Sequence, residues 1–404
     1  MQPLHNDPPG KRRGYIFPLL HYFYTFSYWT YMIYLPLYFQ ELGLRESAMG
    51  ALESAFPLTT LILIFPLGML SDRLGAGSIL KWGAFGVVVF SALMSAVHTK
   101  AFLPPLMIFG GAAFSLYYVS INALFFKHVG RESRGWRTAW FFAGGTIGLG
   151  TGPLLAGFLM ERLGPGAIFL QGAAASAVMT LAALTAPEAP LFKIRLKDYF
   201  RDLKQPAAII VTLTMFLIHT HVGFEQMGYA LLMEHVVGLS RSHMGMMFTI
   251  IAAWLTFWSL VAGRNYDGGQ KPVLVLGVTV VWSGIFQYLT AYSFNFASMA
   301  LIRLAHSFGD SFFNVILLIL VGTTFHRGRV GGNYGFILMI NTAAMFLAHN
   351  ASGFLMEGGR YGLPFMVSGA IMTTGGIVFL VFRNTIRKTL KLEGNTGATL
   401  GPDT

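Results

Sequence analysis

The sequence predicts an all-α polytopic membrane protein whose twelve transmembrane helices form two pseudo-symmetric six-helix halves. Of its 404 residues, 54% are hydrophobic and 11% are charged, whereas soluble domains carry roughly 25% charged residues. Apolar runs of about 20 residues, enough to cross a bilayer as a helix, recur along the whole chain. Short motifs from the first half also return in the second half at an almost constant offset.

The apolar runs and the turns between them place the spans in order. We predict spans at 15–39, 47–70, 79–97, 102–126, 136–160, 166–186, 206–233, 243–263, 272–292, 296–322, 331–356 and 362–383. The halves are then 15–186 and 206–384, joined by a cytoplasmic linker at 187–205 that can form an amphipathic helix on the inner leaflet. We expect cytoplasmic tails at 1–14 and 385–404.

The basic residues orient the chain in the membrane. With both termini inside, 22 of the 28 lysines and arginines fall in inner segments and five in outer loops, leaving only Arg303 inside a span. This asymmetry follows the positive-inside rule. The compact length and short outer loops favour a bacterial inner membrane. A basic net charge of +11 spread between apolar runs does not indicate nucleic-acid binding.

Three motif pairs show that the halves are repeats. Segment 43–50 returns as 238–245, and Gly68 to Asp72 has the same spacing as Gly263 to Asp267, both at an offset of 195. Segment 157–161 returns as 353–357 at an offset of 196. Three echoes at one offset are typical of a transporter fold built from internal repeats.

The turn Gly68-Met-Leu-Ser-Asp72-Arg73-Leu-Gly75 lies between two apolar spans. It resembles the signature loop between helices 2 and 3 of the major facilitator superfamily. The resemblance covers about 15–385 and implies the fold of that superfamily, with secondary active transport by alternating access. Basic residues that could pair with Asp72 and Asp267 flank spans 5 and 11. The predicted inner gate consists of Gly68, Asp72, Arg73, Asp267, Arg134 and Arg329.

Span 5 bears on the direction of transport. Its sequence Gly148-x-x-x-Gly152-Pro153 resembles a helix-5 motif of proton-driven exporters in the superfamily. A Gly-Pro pair also occurs there in importers. The motif therefore favours export slightly and leaves the direction open.

Three carboxylates fall inside spans, where an unpaired charge costs several kcal/mol: Glu53, Glu225 and Asp310. In span 7, His221 lies four residues before Glu225 and therefore on the same helical face. Span 10 aligns four polar residues at steps of three, four and four. The predicted proton-coupling site consists of His219, His221, Glu225, Arg303, His306 and Asp310.

Two interpretations of this polar face remain open. A histidine and an acid one turn apart resemble the pair in a proton-coupled permease of the same superfamily, which implies a proton-carrying role. The alternative is a buried structural ion pair between Arg303 and either Asp310 or Glu225. His221 and Glu225 could share a metal ion, but we predict no metal site and no cofactor.

The first half contributes aromatic and hydrogen-bonding side chains rather than charge. Together with one asparagine from span 10, the predicted substrate cavity contains Tyr24, Tyr28, Tyr118, Asn122 and Asn314. An aromatic half facing a charged half suits a small amphipathic organic solute, and Arg303 would suit an anionic group on it. The expected partners are this solute, protons and the lipid bilayer, with the protein a monomer.

Other classes of function fit the sequence less well. The chain has no Cys, no nucleophile elbow and no phosphate-binding loop, so we expect neither an enzyme nor an ATP-driven pump. A channel is disfavoured by the repeats and by the inner-gate motif. The alternative is a transporter-like membrane sensor or assembly factor without transport activity.

Overall fold

A computed structural model describes residues 16–97, 99–129, 134–188, 196–325 and 330–390. In the first half the helices are α1 Ile16–Met32, α2 Leu35–Glu41, α3 Glu46–Leu74, α4 Ala76–Ser95, α5 Leu103–His128, α6 Arg134–Leu163 and α7 Ala167–Ala183. The short α8, Leu196–Leu203, precedes the second half. There the helices are α9 Pro206–His235, α10 Arg241–Asp267, α11 Pro272–Thr290, α12 Phe296–Thr324, α13 Val330–Met356, α14 Leu363–Val381 and α15 Arg383–Thr389.

The described residues confirm the all-α class. Within them, nine helices are long and apolar enough to cross a membrane. The other three predicted spans coincide with α1 followed by α2, with the 17-residue apolar helix α7, and with α13. The first span, predicted as one helix over 15–39, consists of two helices, α1 and α2. Pro36 lies in the first turn of α2, and it has no N–H for the carbonyl of Met32.

The repeats seen in the sequence become equivalent contacts between the halves. Helix α6 packs along α10, and α3 packs along α13. Gly50 on α3 lies against Gly353 on α13, where an added Cβ would come within 3.1 Å of the other glycine's Cα. The equivalent contact places Gly157 on α6 against the backbone of Arg241 at the start of α10. Small residues at these positions let the helices approach closely.

The linker region ends in an amphipathic helix, as the sequence predicts. One side of α8 is buried, with Tyr199 fully enclosed beneath the start of α13, while Phe200 on the other side is 48% exposed. The Asn333 side chain on α13 donates a hydrogen bond of 2.9 Å to Asp202 on α8. Helix α8 therefore attaches the region between the halves to the second half.

The halves touch at both ends of the molecule. We call the end that carries residues 42–45, 236–240 and 357–362 the outer end, following the orientation predicted from the basic residues. At this end, Arg241 pairs with Glu41, and Glu161 accepts a hydrogen bond of 2.9 Å from the Ser242 N–H. Tyr361 donates to Glu46. Burial and the Glu46 carboxylate raise the pKa of Tyr361, which keeps this hydroxyl a donor.

The opposite, inner end is held by a helix cap that crosses the two halves. Asp267, at the end of α10, accepts hydrogen bonds of 3.0 and 2.9 Å from the N–H groups of Gly135 and Trp136 in the first turn of α6. A carboxylate at a helix N-terminus satisfies unpaired N–H groups and opposes the helix dipole. The Arg264 guanidinium lies 4.5 Å from the centre of the Trp136 ring.

Candidate functional site

A cavity of about 330 Å³ lies between the two halves. Its walls come from α1, α3, α5 and α6 on one side and from α9, α10, α12 and α13 on the other. Glu225, Arg303 and Asp310 are the charged residues among its described lining. All three belong to the second half, so the cavity has one charged wall and one uncharged wall.

The uncharged wall is built from stacked tyrosines. The Tyr24 ring stacks on Tyr117 and on Tyr118 with centroid separations of 5.4 and 5.2 Å. Tyr28 extends the stack at 6.0 Å from Tyr24. Asn122 donates 2.8 Å to the Tyr118 carbonyl one turn earlier. Tyr24, Tyr28 and Tyr118 therefore give this wall an aromatic lining, which suits a solute with an apolar or cationic part.

The charged wall centres on an ion pair between α9 and α12. Arg303 Nη2 lies 2.6 Å from Glu225 Oε1, and Nη1 donates 2.8 Å to the Gln287 side-chain oxygen on α11. The guanidinium lies 4.8 Å from the centre of the Tyr229 ring. Arg303 is only 3% exposed. Because its two Nη groups already bind protein oxygens, the geometry disfavours Arg303 as the receptor for an anionic solute.

His306 stands between the two carboxylates of this wall. Its Nε2 lies 3.3 Å from Glu225 Oε1 and 3.1 Å from Asp310 Oδ2. Its Nδ1 lies 2.9 Å from the Ser283 carbonyl oxygen. The Ser283 hydroxyl oxygen also lies 2.9 Å from Nδ1, but a carbonyl only accepts, so a bond to this carbonyl places a hydrogen on Nδ1. Nε2 then meets two carboxylates, and these three groups can bind one another only if they share at least one proton.

Other residues hold the cluster in position. Ser283 on α11 donates 2.5 Å to Asp310 Oδ1, and Asn314 donates 2.9 Å to the Asp310 carbonyl. His221 bonds through Nδ1 to the Ile218 carbonyl, which leaves its Nε2 3.8 Å from Asp310 Oδ2. The Nε2 atom of His221 is therefore a second nitrogen near Asp310 that could hold a proton.

The structure thus brings most of the predicted coupling residues together, and it places one of them apart. His219 bonds through Nδ1 to the Met215 carbonyl at 2.8 Å, while its Nε2 lies 3.5 Å from the Asn341 amide. It lines the cavity without contacting the carboxylates. The residues predicted for the substrate cavity all line it, namely Tyr24, Tyr28, Tyr118, Asn122 and Asn314.

Three members of the charged wall were not predicted from the sequence. Ser283 and Gln287 are polar residues four apart on the largely apolar α11, and that spacing was the available signal. Tyr229 lies one turn after Glu225 on α9. Its ring contact with Arg303 depends on how α9 packs against α12, and no local pattern reveals that.

The inner-gate prediction falls partly outside the described residues. Arg329 and the side chain of Asp72 are not described. Arg73 is exposed in the last turn of α3. Arg134 donates 3.4 Å to the Gly322 carbonyl near the end of α12. Gly68 lies against Gly335 of α13, where an added Cβ on Gly335 would come within 3.3 Å of the Gly68 Cα.

The cluster also contains atoms that could hold a metal ion. One ligand atom from each of His221, Glu225 and His306 lies within 4.8 Å of the others. Both histidines bind a backbone carbonyl through Nδ1, which is common for metal-binding imidazoles. However, Arg303 already supplies a cation to the same Glu225 oxygen. A metal ion here would have to tolerate or displace the guanidinium.

Comparison with known proteins identifies the family. The family model described as Major Facilitator Superfamily matches residues 19–264, which is more than half of the chain. The chain belongs to the Major Facilitator Superfamily. The recognition of this superfamily from the loop at Gly68 is therefore confirmed. The match covers the first half and continues through α9 and most of α10.

Relatives within the superfamily are distant. An uncharacterized MFS-type transporter of Yersinia enterocolitica is 27% identical over 154 residues, which cover 38% of this chain and 40% of that protein. The multidrug resistance protein MdtG of the same species is 28% identical over 208 residues, covering 48% of this chain and 49% of that protein. Each match spans less than half the length of the relative.

Solved structures of superfamily members share the fold. The human organic anion transporter MFSD10 (TETRAN) has a TM-score of 0.73 at 16% identity, covering 92% of this chain and 100% of that chain. A POT family transporter in complex with a thioalcohol-conjugated peptide has a TM-score of 0.76 at 12% identity, covering 93% of this chain and 96% of that chain. At these identities the likeness concerns the superfamily fold.

Proposed function

We propose that this chain is a secondary active transporter of a bacterial inner membrane, not an enzyme, and that it exports a small organic solute in exchange for protons. The solute occupies the cavity between the halves and crosses by alternating access. Membership of the superfamily supports transport, and the bacterial relatives support the location. The MdtG relative is named as a multidrug resistance protein, which agrees with export.

The single observation that supports proton coupling is the position of His306. Its Nε2 lies within 3.3 Å of two carboxylate oxygens while its Nδ1 is committed to a carbonyl. With a hydrogen on Nδ1, a second proton on Nε2 would let the ring bind both carboxylates, which supports proton binding at this cluster. The carboxylate of Asp310 also borders the cavity, so a solute bound there changes the free energy of holding that proton.

The charge of the cluster supports a cationic solute. With both histidines neutral, one arginine and two carboxylates give a formal charge of −1. One added proton brings the charge to zero. An organic cation is therefore attracted to the deprotonated cluster, assisted by the aromatic rings of Tyr24 and Tyr28 in the opposite wall. Proton and solute then compete for one site, which is the requirement for exchange.

Proton release tests the proposal directly. The purified protein, in weakly buffered detergent, is mixed with organic cations, organic anions and zwitterions while the pH is recorded. We expect release of protons with cations, and loss of that release in Asp310→Asn. Glu234→Gln, on α9 near the outer end, is the matched control and should behave as wild type. Binding of a cation with no release would overturn the proton coupling.

A further inference from the structure

Glu53 differs from the other two carboxylates inside the spans. Glu225 and Asp310 lie beside Arg303, His306 or His221. Glu53 is 4% exposed, and its Oε1 has no hydrogen-bond partner. No arginine or lysine of the described chain forms a salt bridge with it. It also lies outside the cavity lining, so the exchange site described above does not explain it.

Glu53 lies at the interface between α3 and α13, and these two helices separate in the alternating access that we propose. It follows Gly50 by three residues on α3, where Gly50 touches the His349 carbonyl and Gly353 of α13. His349 is itself 4% exposed, and its Nε2 lies 3.1 Å from the Gln226 side-chain oxygen. Gln226 in turn donates 2.8 Å to the Tyr28 hydroxyl of the other half. Polar contacts thus join the halves at the edge of the cavity, which Gln226 and Tyr28 line.

Among the described residues, the titratable side chains that face Glu53 are His349 from α13 and Tyr28 from α1. Neither is a permanent cation. An isolated carboxylate ion is strongly unfavourable in such a place, so the group takes up a proton instead. When α3 and α13 separate at the outer end, water can reach Glu53 and stabilise its charged form by hydration. The closed outer end therefore binds one proton more than the open one.

We propose that Glu53 is a second proton-binding residue, located at the outer gate, and that its protonation closes this gate. The inference relies on alternating access from the proposed function but not on proton exchange at Asp310. Proton linkage gives the direction of the pH effect on the gate. The extra proton of the closed form favours closure as the pH falls, and the closed-to-open ratio changes by up to about tenfold per pH unit.

The absence of Cys from the chain makes a distance measurement simple. Spin labels on Arg45→Cys and Arg360→Cys, which are exposed on opposite halves, report the outer end. Labels on Leu74→Cys and Lys271→Cys report the inner end. Distances are measured in nanodiscs without solute at acidic, neutral and alkaline pH. We expect the longer outer distance to gain population as the pH rises, and Glu53→Gln to keep the shorter one throughout.

Companion variants separate this gate from the exchange site. Glu53→Asp keeps a carboxyl group and should keep the pH response. Glu357→Gln, at an exposed outer carboxylate, should respond as wild type, whether or not protons exchange at Asp310. An outer distance independent of pH in wild type would overturn the inference. So would an unchanged response in Glu53→Gln, or a response lost only in His349→Gln.

Discussion

The Nε2 atom of His306 lies 3.1 Å from Oδ2 of Asp310, and the two residues stand one turn apart on α12. His306 has no exposure to the cavity, whereas Asp310 borders it. The imidazole can therefore hold a proton without touching solute, and the carboxylate can touch both. In the exchange that we propose, His306 would store the proton and Asp310 would sense the solute.

Replacing His306 with glutamine should uncouple transport without abolishing it. Glutamine removes the titratable group between the carboxylates but fills a similar space, so solute exchange should persist while accumulation driven by a proton gradient is lost. Both are measured in proteoliposomes. His243→Gln, on the exposed N-terminal turn of α10, is the control. Full accumulation in His306→Gln would contradict the assigned role.

Binding of a cationic solute should weaken as the pH falls. The protonated cluster has a formal charge of zero and the deprotonated one −1, so acid removes the attraction. While one proton is displaced, the dissociation constant should rise by up to about tenfold for each unit of decreasing pH. Calorimetric titration across pH checks this. A neutral analogue of the same solute should lack the dependence, and equal slopes for both would refute the competition.

The buried pair of Arg303 and Glu225 should show strong coupling in a mutant cycle. Removing one partner leaves the other charged and buried, which typically costs about 3–5 kcal/mol. We therefore expect Arg303→Gln and Glu225→Gln each to destabilise the protein, and the double variant to lose less than their sum. Thermal unfolding in detergent measures all four forms. Additive losses would show that the 2.6 Å contact contributes little.

An alanine at Gly353 should prevent the outer end from closing fully. Its Cβ would lie 2.8 Å from the Glu46 carbonyl oxygen and 3.2 Å from the Gly50 Cα, and both are backbone atoms that cannot rotate away. The outer label pair should shift to the longer distance. Gly166→Ala is the matched control, because nothing lies within 4 Å of its added Cβ. A closed outer end in Gly353→Ala would exclude this contact as a gate.

Loss of the Asp267 cap should weaken the inner end. Asp267→Ala removes both hydrogen bonds to the first turn of α6, and a lost N-terminal cap costs about 1 kcal/mol. That cost corresponds to a roughly fivefold shift toward inner opening, which the inner label pair would register. Asn265→Ala, exposed on the same turn of α10, should have no such effect. Identical inner distances for the two variants would rule out the cap as a latch.

Helical periodicity explains why much of the charged wall could be predicted. His306, Asp310 and Asn314 follow each other at steps of four, so any helix places them on one face. The offset of 195 likewise predicted two equivalent halves, and Gly50 and its counterpart Gly245 both lie at contacts between the halves. These are properties of a single helix or of a repeat, and neither requires knowledge of the packing.

The sequence by itself determined the all-α membrane fold, the recurrence of the halves and the superfamily, because apolar length and motif spacing are local properties of the chain. Only the tertiary structure decided that Arg303 binds Glu225 and Gln287. It alone decided that the Nε2 of His306 lies between two carboxylates. It also decided that Glu53 is buried and that its Oε1 has no hydrogen-bond partner within the described part of the chain. The physical reason is that the energy of a buried charge depends on which groups of neighbouring helices lie within a few ångströms.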